Sequence, residues 1–266
     1  MVPQPDGEAL REVIHKRYPI LECIGDSQKT IPEIVTDSEK SRTTVDRGIK
    51  SFKNHQLIRE SERGQYELTN KGKLARDEIK DYNAFMDSLA GTTDLVCSLS
   101  DAEQIPRDIF RGAEYRIADP KAPETCLQHI SEILKSATQF QATSTVALTY
   151  YLDMIHNTIN RNNTKAKIIA EKDVIESMAQ MRKEDLKQLC SDDRMNLFSI
   201  DKSIPYTGWV INTPSREVGV LIFHSGGGIK GILMNDSQQT VEWLRTFCDR
   251  YQSNGTLITE STIQGL

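Results

Sequence analysis

The chain has 266 residues, with 33 Lys or Arg, 38 Asp or Glu, a net charge of −5 and 38% hydrophobic residues. This length has room for two domains with separate cores, and the composition excludes disordered and fibrous classes. No stretch approaches the roughly 18 consecutive apolar residues of a membrane span, and the polar first residues do not form a secretory signal. We therefore expect a cytoplasmic protein with no membrane partner.

The cysteines are scattered and never spaced as CxxC; they are Cys23, Cys97, Cys126, Cys190 and Cys248. This pattern favours reduced, mostly buried thiols over a disulfide framework or a zinc site. Whether one of them senses redox state is left open. We expect no metal and no other cofactor.

The first part of the chain predicts two helical segments. Residues 6–23 form the first segment, which Pro19 should break or kink after Tyr18. Thr30 can cap a second helix with Pro32 in its first turn. Residues 36–38, Thr-Asp-Ser, then predict a polar turn, because their side chains hydrogen-bond nearby backbone groups.

The next residues predict a third helix followed by a β-hairpin. The helix is expected over residues 41–55, where apolar residues recur at helical spacing. Strands are expected over residues 57–59 and 66–68, joined by a turn with Gly64 at its tip. Helix, turn, basic helix and two-stranded wing in this order predict a winged-helix domain.

The exposed face of the third helix is rich in cations and hydroxyls. It carries Ser41, Arg42, Thr43, Thr44, Asp46, Arg47, Lys50 and Lys53. Such a face suits a helix laid in the DNA major groove, although on its own it also fits an ordinary solvated helix face. Arg42, Thr43, Thr44 and Arg47 are the predicted base-reading residues, and Ser41, Lys50 and Lys53 the predicted phosphate contacts. On the wing, Arg59 and Arg63 could reach the backbone or the minor groove.

The acidic overall charge does not exclude double-stranded DNA as a partner. Residues 1–90 carry fifteen Lys or Arg and sixteen Asp or Glu, so this part is near neutral. Binding depends on where the cations lie, and they are concentrated on the third helix and the wing. A weak overall charge does predict that dimerisation is needed for useful affinity.

A long, charged helix is predicted to follow, over residues 70–89. Its apolar stripe is wider than one small domain can cover, and consists of Leu74, Ile79, Tyr82, Phe85, Met86 and Leu89. We expect this stripe to pack on a second domain or on the same helix of a partner, and we favour a homodimer.

The remaining residues alternate between helical and strand patterns. A short helix near residues 107–110 and a strand at 113–118 precede an α/β region that begins at Glu124. Its predicted helices cover residues 125–136, 147–160, 174–190 and 238–251. Its predicted strands cover residues 140–144, 166–170, 195–200, 209–212, 218–224 and 229–234, with residues 225–228, Ser-Gly-Gly-Gly, as the last hairpin turn.

Several segments carry a family resemblance. They are LTNKGKLA (residues 68–75), RGAEYRIADPKAPE (111–124), IPYTGWVI (204–211), EVGVLIFHSGGGIKGILMNDS (217–237) and EWLRTFCDRY (242–251). The first resembles the wing exit of many prokaryotic winged-helix regulators. The others resemble the sensor domain of archaeal methanogenesis-regulator-type transcription factors, which carry an N-terminal winged helix. The α/β order is also similar to the sensor half of archaeal sugar-responsive (TrmB-like) regulators, itself like half of a phospholipase-D-type fold.

The sequence contains no constellation that supports catalysis, so we expect no enzyme activity. Phospholipase-D-type chemistry needs a His-x-Lys pair, and none occurs in the chain. The glycine-rich turn at residues 225–228 is followed by a strand pattern rather than by the helix that a phosphate-binding loop needs. The predicted effector-binding residues of the α/β region are Ser144, Thr145, Tyr206, Trp209, His224 and Asn235, although caps, turns and core packing account for them as well.

The predicted fold is an α+β winged-helix N-terminal domain, a long linker helix and an α/β C-terminal domain with a mixed sheet. The boundaries are 1–70 for the DNA-binding domain, 71–91 for the linker or dimerisation helix, 92–123 for a connector with one edge strand and 124–266 for the sensor domain. We therefore expect a dimeric DNA-binding transcription regulator whose C-terminal domain senses a small-molecule effector or a partner. The alternative is a winged-helix protein-interaction module, which Glu60, Glu62 and the near-neutral N-terminal part favour. A nucleotide or phospholipid hydrolase is a third hypothesis.

Overall fold

The computed structural model describes residues 6–61, 63–99, 105–226 and 228–266. Glu62 and Gly227, which belong to the predicted wing and glycine-rich turn, lie outside these ranges. The described residues fall into two compact units that divide between Met86 and Asp87. Within the described ranges, no helix has both the length and the apolar character needed to cross a membrane.

The first unit consists of three helices, a small hairpin and most of a fourth helix. The elements are α1 (Gly7–Ile24), α2 (Ile31–Ser38), α3 (Arg42–Asn54), β1 (Ile58–Glu60), β2 (Tyr66–Leu68) and α4 (Asn70–Gly91). Fully buried side chains from each helix of the three-helix group meet in one core, including Leu21, Ile34 and Phe52. The hairpin closes this core with Leu57 and Leu68.

Local signals place the ends of these helices. Glu33 accepts hydrogen bonds from the Thr30 backbone N–H at 2.7 Å and hydroxyl at 2.8 Å at the start of α2. Arg17 has non-helical torsions (φ −126°, ψ 16°) two residues before Pro19, so the predicted kink in α1 is confirmed.

The predicted turn at residues 36–38 is wrong. Helix α2 continues through these residues, and the chain turns at Glu39, which adopts a left-handed conformation (φ 54°). The hydroxyls of Thr36 and Ser38 bond the carbonyl oxygens of Pro32 and Ile34 four residues back. These polar side chains are therefore satisfied inside the helix and do not end it.

The second unit is built on an eight-stranded mixed sheet. Its strands are β3 (Glu114–Ile117), β4 (Gln139–Ser144), β5 (Lys165–Glu171), β6 (Met195–Ile200), β7 (Thr207–Asn212), β8 (Glu217–Ser225), β9 (Gly228–Asn235) and β10 (Thr256–Ile258). Their order is β10-β6-β5-β4-β7-β8-β9-β3. Strands β4, β5 and β6 are mutually parallel, and every other pairing is antiparallel. The predicted mixed sheet is therefore present.

Helices cover both faces of this sheet. They are α5 (Thr93–Val96), α6 (Gln128–Leu134), α7 (Thr149–Asn162), α8 (Lys172–Cys190), α9 (Gln238–Gln252) and α10 (Glu260–Gly265), with 3-10 turns at Arg107–Ile109 and Pro123–Leu127. Residues such as Trp209 and Val220 share the large apolar core with α7 and α8. Gly208 and Gly219 lie on the opposite face, where a Cβ would come within 2.9 Å and 2.7 Å of Leu244 on α9.

Candidate nucleic-acid interface

The outer face of α3 carries four exposed cations, Arg42, Arg47, Lys50 and Lys53, and one exposed carboxylate, Asp46. Ser41, the N-cap residue, precedes a helix whose buried side is formed by Val45, Gly48, Ile49 and Phe52. Because these residues pack against the core, the side chains between them point outward. The predicted DNA-contact residues are all exposed: Ser41, Arg42, Thr43, Thr44, Arg47, Lys50, Lys53, Arg59 and Arg63.

Three cations of this face have no ion-pair partner among the described residues. Arg42, Arg47 and Lys50 make no salt bridge with any described carboxylate, although Asp46 lies on the same helix. Unpaired cations at an exposed helix face can bind phosphate or base edges without first releasing a protein partner.

The cap at the start of α3 fixes two hydroxyls close together. The Ser41 Oγ accepts from the Thr44 backbone N–H at 3.3 Å and lies 2.8 Å from the Thr44 Oγ1. This arrangement satisfies one of the free N–H groups of the helix start. Both hydroxyls stay exposed, so either can also contact a phosphate.

The hairpin is tied to α3 and to its own second strand by ion pairs. Lys53 Nζ lies 2.6 Å from Glu60 Oε2, and this hydrogen bond raises the pKa of Lys53 and lowers that of Glu60. Arg59 on β1 pairs with Glu67 on β2, and Gln28 also donates to Glu67 at 2.9 Å. Lys53 and Arg59 are thus less available to a polyanion than Arg42, Arg47 and Lys50.

The junction between the hairpin and α4 is closely packed. The Thr69 hydroxyl donates to the Gln56 carbonyl oxygen at 2.7 Å and accepts from the Gly72 N–H at 3.1 Å. A Cβ at Gly72 would overlap the carbonyl oxygen of Leu57. The LTNKGKLA segment therefore has a physical role, since its threonine caps α4 and its glycine lets α4 approach the start of the hairpin.

An apolar cavity lies in the second unit between the sheet and helices α7 and α8. The carboxyl ends of β4 and β5 line it through Ser144 and Ala170, and Trp209 of β7 and Tyr151 of α7 line it as well. Trp209 stacks on Phe140 with ring centroids 5.7 Å apart.

Two known protein families match parts of this chain. Residues 123–254 match the family described as methanogenesis regulatory protein FilR1, middle domain. These residues, just under half of the chain, are similar to that domain, and we refer to them as the FilR1-type domain. The predicted resemblance to methanogenesis-regulator-type transcription factors is thereby confirmed. Residues 6–89 match a second family, described as the HVO_A0261 N-terminal domain, and no curated protein matches the chain.

Solved structures show only distant similarity. TrmBL2, an archaeal chromatin protein, has 11% identity and a TM-score of 0.44, over 95% of this chain and 100% of that one. NucT from Helicobacter pylori has 9% identity and a TM-score of 0.42, over 55% of this chain and 98% of that one. The phospholipase D family member Nuc from Salmonella typhimurium has 10% identity and a TM-score of 0.39, over 55% and 99%. At these scores none of the three carries an argument about function.

Two of the predicted effector residues of the FilR1-type domain, Thr145 and His224, are linked through Thr207, which the sequence did not single out. Thr207 Oγ1 accepts from the Thr145 N–H at 3.3 Å, lies 3.1 Å from the Thr145 Oγ1 and 3.2 Å from His224 Nε2. His224 Nδ1 lies 3.3 Å from the Gly228 carbonyl oxygen. Burial lowers the pKa of His224 to about 4, so the imidazole is neutral at pH 7 and donates from Nδ1 to this carbonyl.

The structure does not bring the six predicted effector residues to one site. Ser144 and Trp209 line the apolar cavity, while Thr145 and His224 belong to the network around Thr207. Tyr206 is in a separate aromatic stack, 4.7 Å from Phe247. Asn235 is buried, and its amide donates to the Ile109 and Arg111 carbonyl oxygens at 2.9 and 2.8 Å.

Groups associated with catalysis or metal binding are dispersed in the described part of the FilR1-type domain. His129 Nε2 lies 3.7 Å from Glu114 at the surface, and His156 lies beside Asn160. No cluster of three or more described His, Cys, Asp or Glu residues could hold a metal ion. Burial raises the pKa of Cys190 to about 11 and that of Cys248 to about 12, which disfavours the reactive thiolate at these two positions.

The residues that sequence reasoning missed are buried and lie far apart in the chain. In the sequence, Tyr151 is one of two consecutive tyrosines in a predicted helix. Thr207 precedes the predicted strand 209–212 by two residues, although it is the first residue of β7. Their roles come from the pairing of β4 with β7 and the packing of α7 on the sheet. No local spacing could have identified them.

Proposed function

We propose that the protein is a dimeric DNA-binding transcription regulator, with an N-terminal winged helix and a FilR1-type domain that binds an effector. The observation that carries this proposal is the exposed set of Arg42, Arg47 and Lys50 on α3, none of which pairs with a described carboxylate. The match to a family named for a regulatory protein supports it.

The proposed DNA contacts follow from the position of each residue on the helix. Arg42, Thr43, Thr44 and Arg47 lie in the first half of α3, the end that approaches base edges when a recognition helix enters the major groove. Ser41, Lys50 and Lys53 would contact phosphates, and Arg59 and Arg63 the backbone or minor groove. Because Lys53 and Arg59 must first release Glu60 and Glu67, we expect them to contribute less than Lys50.

The apolar stripe on α4 supports the proposed dimer. Leu74, Tyr82 and Met86 are 74%, 46% and 42% exposed and are spaced in multiples of four, so they share one face. A second copy of α4 would bury this face about a two-fold axis. The dimer would then place two α3 helices in successive major grooves, about 34 Å apart.

A protein-interaction module is the second candidate. The carboxylates Glu60 and Glu67 neutralise Lys53 and Arg59, and a wing with paired charges suits a protein partner. Under this hypothesis the cations of α3 would meet an acidic protein surface, and binding to DNA would be weak and unselective. A hydrolase is not proposed, since the hydroxyl–imidazole contact between Thr207 and His224 involves a fully buried threonine, and His224 Nδ1 faces a backbone carbonyl oxygen rather than a carboxylate.

A gel-shift titration of purified protein against genomic fragments at two salt concentrations tests the proposal. We expect selection of a short dyad site that weakens as salt rises, and Arg47→Ala should abolish the selection. Arg161→Ala, the same change on α7 in the FilR1-type domain, is the matched control and should bind as the wild type does. Equal affinity of wild type and Arg47→Ala for every fragment would contradict the proposal.

A further inference from the structure

The cavity between the sheet and helices α7 and α8 has an almost wholly apolar wall. Its volume is about 50 Å³, which is several times the space that one water needs. Its wall includes Leu152, Ile155, Ile168, Ile175, Met178, Leu186 and Leu197. None of the lining residues is charged.

Two polar atoms in this wall lack hydrogen-bond partners among the described residues. The Tyr151 hydroxyl and the Trp209 indole Nε1 are buried and unbonded, and both residues are only 2% exposed. Their rings lie 5.6 Å apart. Leaving buried donors unpaired is costly, and two such donors beside one cavity indicate a missing acceptor.

The other polar side chains of the wall are already satisfied. The Thr143 hydroxyl accepts from the Gly208 N–H at 2.8 Å, and the Ser144 hydroxyl donates to the Val146 carbonyl oxygen at 3.1 Å. Burial raises the pKa of Tyr151, so its hydroxyl keeps its proton and stays a donor. The cavity therefore presents donors in an apolar surrounding, with few acceptors.

The two unpaired donors and the apolar wall discriminate between water, a carbonyl compound and a charged ligand. A water molecule that accepts from Trp209 must direct its own hydrogens to the Tyr151 or Ser144 hydroxyl oxygens, because the wall offers few other acceptors. A carbonyl oxygen accepts two hydrogen bonds and has no hydrogens to satisfy. A charged ligand would lose its hydration with no countercharge in the wall.

We propose that this cavity binds a small, neutral, mainly apolar molecule with a carbonyl-type acceptor, which accepts hydrogen bonds from Tyr151 and Trp209. The proposal deepens the effector sensing proposed above by naming the site and the ligand class. The ligand lies at the carboxyl ends of parallel strands β4 and β5, where sheets of this kind commonly bind ligands.

Ligand binding in this cavity would act on helix α8. The helix is interrupted at Arg182 (φ −143°, ψ 56°), and its two halves line the cavity separately through Met178 and Leu186. Arg182 pairs with Asp153 of α7 at 3.1 Å and with Asp185 on the far side of the break. An occupant that spreads α7 from α8 must therefore act on this ion-pair group.

Calorimetric titration of the purified full chain with two isosteric neutral probes and one charged probe tests the site. Cyclohexanone carries the acceptor, methylenecyclohexane has the same shape without it, and cyclohexanecarboxylate carries a charge. We expect Tyr151→Phe to weaken cyclohexanone binding about tenfold, equivalent to about 1.4 kcal/mol, and to leave methylenecyclohexane binding unchanged within about twofold. The carboxylate should not bind.

The matched control is Tyr150→Phe, the same change at the neighbouring residue, which does not line the cavity. It should leave both affinities unchanged, and thermal unfolding of each variant shows that it is folded. The proposal is overturned if neither neutral probe binds the wild type, if Tyr151→Phe weakens both equally, or if a crystal structure soaked with the ketone shows ordered water only. The titration contains no DNA, so its outcome is independent of the gel-shift result for Arg47→Ala.

Discussion

At the scale of single residues, the first unit depends on a glycine that has no room for a side chain. Gly72 lies in the first turn of α4, directly against the Leu57 carbonyl group at the end of the α3–β1 connection. Any Cβ there pushes α4 away from the hairpin and disturbs the cap that Thr69 provides. The close approach of α4 to the α3–β1 connection therefore rests on this contact.

Gly72→Ala should lower the free energy of unfolding of the first unit by about 2–4 kcal/mol, the range of severe steric substitutions. Gly7→Ala is the control, because Gly7 is exposed at the start of α1 and its Cβ would meet only the Arg11 side chain, at 3.5 Å. Urea unfolding followed by circular dichroism measures both. A cost below about 0.5 kcal/mol for Gly72→Ala would refute the close packing described here.

His224 makes the stability of the second unit depend on pH. Its pKa is lowered by burial from the ordinary 6.5 to about 4, so the unfolded chain binds the proton more readily than the folded one between these values. The contribution of neutral His224 to the free energy of unfolding is complete above pH 6.5 and is lost as the pH falls towards 4. Between pH 6.5 and 4, protonation of His224 should lower the free energy of unfolding by up to about 1.4 kcal/mol per pH unit.

His224→Gln should flatten that dependence between pH 6.5 and 5, because an amide can make both hydrogen bonds and does not titrate. Chemical denaturation at several pH values measures the slopes. A wild-type stability that rises as the pH falls through this range would contradict the neutral, buried assignment.

At the scale of elements, sequence and structure agree best where the signals are local. Pro19, Thr30, Gly64 and the alternation of buried and exposed residues on α3 each act within a few positions, and the corresponding elements are present. Ser38 misled the prediction because its hydroxyl bonds inside α2. Strand β10 and helix α10 were not predicted, since three residues are too short to show a strand pattern and become a strand only by pairing with β6.

The site of the second unit could not be predicted for the same reason. Trp209 and Tyr151 come together because β7 pairs antiparallel with β4 while α7 crosses over from β4 to β5. Fifty-eight residues separate the two in sequence. A pattern of single elements shows which face is apolar but not where two buried donors are left without partners.

The α4 element gives a prediction of its own. Replacing Leu74 and Met86 together by serine should shift the protein from dimer to monomer, since the exposed apolar face would lose most of its burial energy. Lys80→Ser, an exposed position on another face of the same helix, should leave the dimer intact. Sedimentation velocity distinguishes the species. A wild type that is monomeric at all concentrations, or a dimer in both variants, would refute this interface.

At the scale of the whole molecule, an acidic chain is proposed to bind a polyanion. The net charge of −5 is repulsive at long range, so binding must come from a local arrangement of cations. Arg42, Arg47 and Lys50 form such an arrangement on an exposed helix, and the ion pairs of the hairpin hold the neighbouring charges in place. A two-fold dimer would double the number of contacts and offset the weak affinity of one unit.

The salt dependence of duplex binding tests this central claim most directly. The logarithm of the association constant of the wild type should fall linearly with the logarithm of salt concentration, and Lys50→Ala should reduce the slope by about 0.9 for each phosphate contact removed, or about 1.8 for a dimer. Arg161→Ala should leave the slope unchanged. Fluorescence anisotropy with a labelled duplex measures all three. A wild type that does not bind the duplex, or a slope that Lys50→Ala does not alter, would contradict the proposal that this face of α3 binds DNA.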